Sequence, residues 1–138
     1  LQSYLKRAED QLKKGENENA LRTFLKVYDY TTETLALINL LKPHYEKIIN
    51  DPSVSQNVKE DFFIKLNRMK QLMPKYSSIK VASAYNVGYL YSKRGGSEKA
   101  RKYLLEVLEN TSFSPKQDSL WMKSKTLLVG LLGLEGEF

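Results

Sequence analysis

VASAYNVGYLYSKRGGSEKARKYLLEV, residues Val81 to Val107, predicts a helix, a short turn at Gly95-Gly96 and a second helix. Its landmarks are Val87-Gly88, Tyr91, Gly95, Ala100, Leu104 and Val107. The same order of small and apolar residues occurs near the amino end as Ala8, Gly15, Ala20, Phe24 and Val27. Every position is shifted by 80 residues. A register held over that many landmarks marks two related helical hairpins.

Elementary packing explains the choice of residues. Two antiparallel helices approach closely only where side chains are short, which suits Ala8, Gly88, Ala20 and Ala100, while Phe24, Leu104 and Val107 fill the space beside them. Gly15 follows Lys13-Lys14 and Gly95 follows Lys93-Arg94. Each first helix therefore ends with cations at its negative end and a residue that accepts positive φ.

The pattern resembles the tetratricopeptide repeat, in which an aromatic residue, Leu-Gly and Tyr precede a turn and an Ala-x3-Phe helix. The second copy supplies Ala84, Val87-Gly88, Tyr91, Lys93-Arg94-Gly95, Ala100 and Leu104. The first supplies Tyr4, Arg7-Ala8, Gln11, Lys13-Lys14-Gly15, Ala20 and Phe24, departing from the pattern at Arg7 and Gln11. A partial third copy reads Leu128-Val129, Leu132 and Glu135-Gly136. The resemblance implies an all-α, right-handed superhelical solenoid of antiparallel hairpins with about seven helices. The expected single domain has hairpins over about 3–30, 32–73 and 77–110, and the first helix of a further repeat over about 115–134. Two unrelated hairpins in a bundle are the plainer alternative.

Whole-chain properties narrow the classes. At 138 residues the chain is long enough to bury a core. It has no cysteine, hence no disulfide framework, thiolate nucleophile or cysteine metal site. No run reaches the length of a membrane span, and LQSYLKRAED lacks the apolar core of a signal peptide. A soluble protein is expected, with the cytosol favoured over the periplasm. Opening on Leu1 reads as a processed or excised piece. The net charge of +6 favours acidic partners.

Taken in order, the first helix is expected from about Ser3 to Lys14, with Tyr4, Leu5, Ala8 and Leu12 on one face. Asn17 is the expected cap of the second, whose stripe is Ala20, Leu21, Phe24, Leu25, Val27 and Tyr28. Leu35, Ile38, Leu41, Tyr45, Ile48 and Ile49 predict a long helix kinked or broken at Pro43. Asn50-Asp51-Pro52-Ser53 is a turn, and Val58, Phe62, Leu66, Met69 and Met73 predict a helix ending before Pro74. A fifth helix is expected from Ser77 or Ser78, and a sixth after Gly96 with Ser97 as cap. Ser114-Pro115-Lys116-Gln117 reads as a capping box opening a last helix through Trp121. Its run Leu127-Leu128-Val129-Gly130-Leu131-Leu132 is apolar on every side and asks for cover on more than one face. Glu135-Gly136-Glu137-Phe138 would then open a turn into a helix beyond this chain, and self-association through 120–134 is the other way to cover the run.

Catalysis, metals and cofactors are not expected. His44 is the single histidine, Glu9-Asp10 and Glu60-Asp61 are adjacent acids that point apart on helices, and Gly95-Gly96 lacks the strand and Lys-Ser of a phosphate loop. The resemblance instead implies a concave binding groove lined by first helices. In the second copy that groove takes Tyr85, Asn86, Tyr89 and Lys93, bordered by Ala82 and Ser92, with Lys123 and Thr126 from the next repeat. Tyrosines four apart offer area and a hydroxyl at small entropic cost, or else simply pack between repeats. Leu127 replaces the Arg of the family's carboxylate clamp. A second feature is the acid-free stretch between Phe62 and Ser97 with Lys65, Arg68, Lys70, Lys75, Lys80, Lys93 and Arg94. It suits an acidic protein segment; nucleic acid is less favoured, since only tyrosines could stack with bases.

The expected function is a protein-interaction scaffold whose groove takes a peptide or protein of acidic character. A peptide-sensing regulatory domain of a larger protein is the alternative, and nucleic-acid binding through 65–94 stands behind it.

Overall fold

The corners of the fold form where the glycines stand. Gly15 (φ 76°) and Gly95 (φ 89°) occupy the left-handed region. In both turns two amides reach back to the preceding helix: Gly15 and Glu16 donate to the carbonyls of Leu12 and Gln11, and Gly95 and Gly96 to those of Ser92 and Tyr91. This closes the orphan carbonyls of each helix end. In the computed structural model, which describes all residues from Leu1 to Phe138, the chain is all-α. Its helices are α1 (Gln2–Lys13), α2 (Asn17–Ile49), α3 (Gln56–Arg94), α4 (Ser97–Asn110) and α5 (Leu120–Leu131).

There are five helices where about seven were expected, because two pairs of expected helices are continuous. Residues 29–34 contain neither Gly nor Pro, and fully buried Thr31 carries the apolar stripe onward. Pro43 and Pro74 sit inside α2 and α3, and α3 neither ends before Pro74 nor restarts at Ser77. Both prolines are exposed, as are Asn39 and Lys70 one turn earlier, so water can serve the carbonyl that loses its amide partner. Contacts divide the chain into one unit of Leu1–Asp29 and Ile79–Phe138 and a second of Tyr30–Ser78.

In the first unit, Ala8, Ala20, Leu21 and Phe24 share one buried cluster with Val87, Leu90, Tyr91 and Ala100. The two copies of the sequence pattern thus pack directly on each other, with no residue of 30–78 in that cluster. The expected order, with the middle hairpin as a repeat between them, is not what this core contains. Burying Phe24 and Leu104 completely is worth about 1.5–3 kcal/mol each. Gly88 lets α3 and α4 approach, since a Cβ there would lie 2.9 Å from Leu104 Cγ. A second cluster joins Val81, Ala84 and Val107, flanked by Tyr28, Tyr85, Tyr103 and Leu120. Tyr28 meets Tyr103 edge to face at 5.2 Å and donates its hydroxyl to Glu106, which also pairs with Lys80 at 3.3 Å.

Three caps differ from expectation. The Ala20 amide bonds to the Glu16 carbonyl and the Ala100 amide to that of Gly96, so Asn17 and Ser97 are first-turn residues instead of caps. Ser119, not Ser114, caps the last helix: its hydroxyl accepts from the Met122 amide at 3.1 Å and donates to the Ser114 carbonyl. Residues 112–119 form an irregular connection, and α5 begins at Leu120. The apolar run at its end is covered along one stripe: Leu128 is buried, Leu131 packs on the first cluster, and Leu132 is 50% exposed.

The second unit is a helical hairpin of 30–49 and 56–78. At its turn the Asp51 carboxylate accepts from the hydroxyl and amide of Ser53, bonds that hold its pKa below the usual carboxylate value. Ile38 and Leu66 are its buried apolar centre. Tyr45 and Phe62 meet edge to face at 4.8 Å, and Tyr30 and Tyr76 lie 6.1 Å apart. Leu37, Leu40, Phe63 and Ile64 stay more than half exposed.

Candidate functional site

The groove residues expected from sequence line two depressions of the first unit, which share Tyr85. One, of about 540 Å³, is bounded by Leu12, Lys13, Gly15, Asn17, Tyr85, Asn86, Tyr89 and Lys93. The other, of about 410 Å³, is bounded by Tyr85, Gln117, Met122, Lys123 and Thr126. Tyr85, Asn86, Tyr89 and Lys93 come from one face of α3 and Lys123 and Thr126 from α5. Ala82 and Ser92 line neither; the Ser92 hydroxyl donates to the Tyr89 carbonyl at 2.6 Å.

The floor is a pair of tyrosines one helical turn apart. Their rings stack at 6.3 Å with 21° between planes. Each is half in the core: Tyr89 packs against the cluster around Phe24 and Tyr85 against that around Val107. The same rings therefore pack between helices and line the depressions. Burial, reinforced by Tyr89, pushes the Tyr85 hydroxyl above the usual tyrosine pKa and keeps it neutral.

A lysine stands over each ring. Lys93 Nζ lies 5.1 Å from the Tyr89 centroid and Lys123 Nζ 4.8 Å from that of Tyr85. Such contacts at exposed sites contribute about 0.5–1 kcal/mol and fix where the ammonium sits. A hydrogen bond to Tyr89 raises the pKa of Lys93, so that cation persists to higher pH than an ordinary lysine. Asn86 donates to the Ala82 carbonyl at 3.1 Å and borders the first depression. Neither lining contains a carboxylate, and with Lys13 the two hold three lysines.

The residues missed from sequence are Leu12, Lys13, Gly15 and Asn17 of the first hairpin, and Gln117 and Met122. Matching Lys13-Lys14-Gly15 to Lys93-Arg94-Gly95 identified the first turn, but its proximity to Tyr89 follows from direct packing of the two copies, which no sequence spacing reveals.

The basic stretch fares differently. Lys80 is paired with Glu106, Lys65 with Asp61 at 2.9 Å, and Arg94 with Glu18 at 3.4 Å. Arg68, Lys70 and Lys75 are exposed and stand in no ion pair. Lys80 belongs to the first unit, while 65–75 belong to the second. No group of three or more His, Cys, Asp or Glu side chains converges, and His44 is exposed.

No protein-family model, no curated protein and no solved structure matches the chain. The fold is all-α, and no helix is long and apolar enough to cross a membrane.

Proposed function

We propose that the chain is a tetratricopeptide-like interaction scaffold whose first unit binds an acidic peptide segment of a partner protein across Tyr85 and Tyr89. The observation that carries this reading is the pair of depressions meeting at Tyr85, lined by lysines and by no carboxylate. An apolar aromatic floor with cations beside it suits a segment that combines carboxylates with apolar side chains. The repeat interpretation draws support from the shared core of the two copies. Without the Tyr30–Ser78 unit, the 80-residue shift between them shrinks to roughly the 34-residue length of one tetratricopeptide unit. The hairpin 30–78 is then an insertion in place of a repeat. A solenoid that continues into further repeats follows from the same reading, and so does a non-enzymatic role.

The test is fluorescence polarisation of the chain against acidic and charge-neutral peptides, with Tyr85→Ala and Tyr89→Ala as variants. Each alanine is expected to weaken acidic-peptide binding about tenfold or more, as anchors do. Unchanged affinity in both variants refutes the site.

A further inference from the structure

Resting on that peptide-binding reading, we infer that the groove takes an acidic segment of a second copy of this chain, residues 134–138. Most of the acidic residues lie in helices; Glu16, Asp51, Asp118, Glu135 and Glu137 do not. Glu16 sits in the tight turn before α2, the Asp51 carboxylate is engaged by Ser53, and Asp118 stands alone. Glu135 and Glu137 are thus the one place outside the helices where two acids fall within three residues, and Leu134 and Phe138 flank them. Both acids are exposed and stand in no ion pair, and Phe138 is 77% exposed. Carboxylates joined to large apolar side chains are what a tyrosine floor with lysines and no carboxylate complements.

The segment is tied to the end of α5 instead of lying in its own groove. The Leu134 amide donates to the Val129 carbonyl and the Glu137 amide to the Leu134 carbonyl, both at 3.0 Å. Gly133 (φ 71°) and Gly136 (φ 81°) allow the two turns. Glu135 is folded back over the helix end, where a Cβ on Gly130 would lie 3.2 Å from its Oε1. No residue of 133–138 lines either depression. Groove and segment are therefore different surfaces of one molecule, and a contact between them is heterologous. Each copy added still offers a free groove or a free segment, so association continues into open chains. So short a segment buries far less than the roughly 1,200 Å² of a stable interface, and the contact is weak and concentration-dependent.

Sedimentation velocity of the chain over a concentration series is expected to show mass that rises without stopping at a dimer and falls with added salt. Two variants divide the contact. One removes the groove cations, Lys13→Gln with Lys93→Gln and Lys123→Gln; the other alters the segment, Glu135→Gln with Glu137→Gln and Phe138→Ala. All six positions are exposed, and circular dichroism checks that both variants remain helical. Each variant alone is expected to stay monomeric where the unaltered chain associates. Mixed, they should form one-to-one pairs and stop, because a single intact groove meets a single intact segment. A labelled peptide of residues 133–138, blocked at both ends, should bind the chain and lose about two- to fivefold for each Glu→Gln, the range of solvent-exposed charge pairs. If other acidic peptides bind and this one does not, the second copy is the wrong occupant and the groove stands. Failure of every acidic peptide overturns both. A segment variant that gains affinity for acidic peptides, with no association of the unaltered chain, means that the segment enters its own groove, which overturns the inference. Association that survives in both variants belongs to another surface and overturns it as well.

Discussion

Replacing Gly88 by Ala should destabilise the first unit, and removing the Leu104 side chain should reverse the sign of that effect. A Cβ at residue 88 falls 2.9 Å from Leu104 Cγ, 3.0 Å from its Cδ2 and 3.4 Å from the Ala100 carbonyl oxygen. Leu104 is fully buried, so it has no solvent-facing route of retreat. Ala gains about 1 kcal/mol over Gly in a helix interior, whereas overpacking a core costs about 1–3 kcal/mol. A contact this short lies toward the upper end, which leaves a net loss of about 1–2 kcal/mol. For a chain of this size that is a fall in Tm on the order of 5 °C. Leu104→Ala alone costs about 2–5 kcal/mol through its cavity. With the obstruction gone, Gly88→Ala keeps only its propensity gain and should stabilise the Leu104→Ala protein by about 1 kcal/mol. The single tryptophan, Trp121, lies in this unit against Phe113, so its emission during urea unfolding reports the relevant transition. The same sign of effect in both backgrounds refutes the close-approach argument.

Two further expectations concern pH and the helix continuity at proline. Burial first, then the charges of Tyr91, Asp29 and Glu106, raise the Tyr103 hydroxyl pKa, and burial with Tyr89 raises that of Tyr85. Folded values above the unfolded value of about 10 mean that the folded chain retains protons the unfolded chain has lost. Their contribution is complete below pH 10 and disappears as pH rises through the folded values. Urea midpoints should therefore drop between pH 9 and pH 11, and drop less in Tyr103→Phe; an identical drop in that variant contradicts the assignment. Pro74→Ala restores an amide donor one turn after Lys70 within α3 and should stabilise the chain by up to about 3 kcal/mol, read by far-ultraviolet circular dichroism. A neutral or destabilising result would mean that α3 is not continuous at that residue.

The hairpin pattern was legible because each copy combines a helical stripe with a glycine that the turn requires. Ala8, Gly88, Ala20 and Ala100 stand where helices touch, and Gly15 and Gly95 adopt the predicted positive φ. The continuity of α2 and α3 was not legible from proline content alone, since a proline disrupts a helix according to which face it occupies. Pro43 lies off the stripe of Leu35, Ile38, Leu41 and Tyr45, and that displacement was the available signal for an exposed ring. The caps were misjudged by residue type: Asn17, Ser97 and Ser114 can all cap, but chain geometry puts Glu16 and Gly96 at the first two cap positions and Ser119 at the third. The contact between residues near 20 and residues near 100 depends on tertiary packing. Counting the middle hairpin as an intervening repeat therefore removed Lys13 and Asn17 from the expected groove.

The same distinction between sequence density and spatial placement governs the charge argument. Between Phe62 and Ser97 the sequence concentrates cations without acids, and density alone directs attention to Lys65 through Lys80. Yet Lys65, Lys80 and Arg94 each have a carboxylate brought to them, from one turn away or from a distant part of the chain. A cation with an intramolecular carboxylate must give up that pairing to engage a ligand, so its net contribution to affinity is reduced by what it leaves. Lys13, Lys93 and Lys123 have no such partner, and two of them rest against tyrosine rings that hold the charge in place without neutralising it. Under the proposed function, selectivity for an acidic segment would thus reside in a few positioned lysines of the first unit, while the excess charge elsewhere acts at longer range and is screened within about 8 Å at physiological salt.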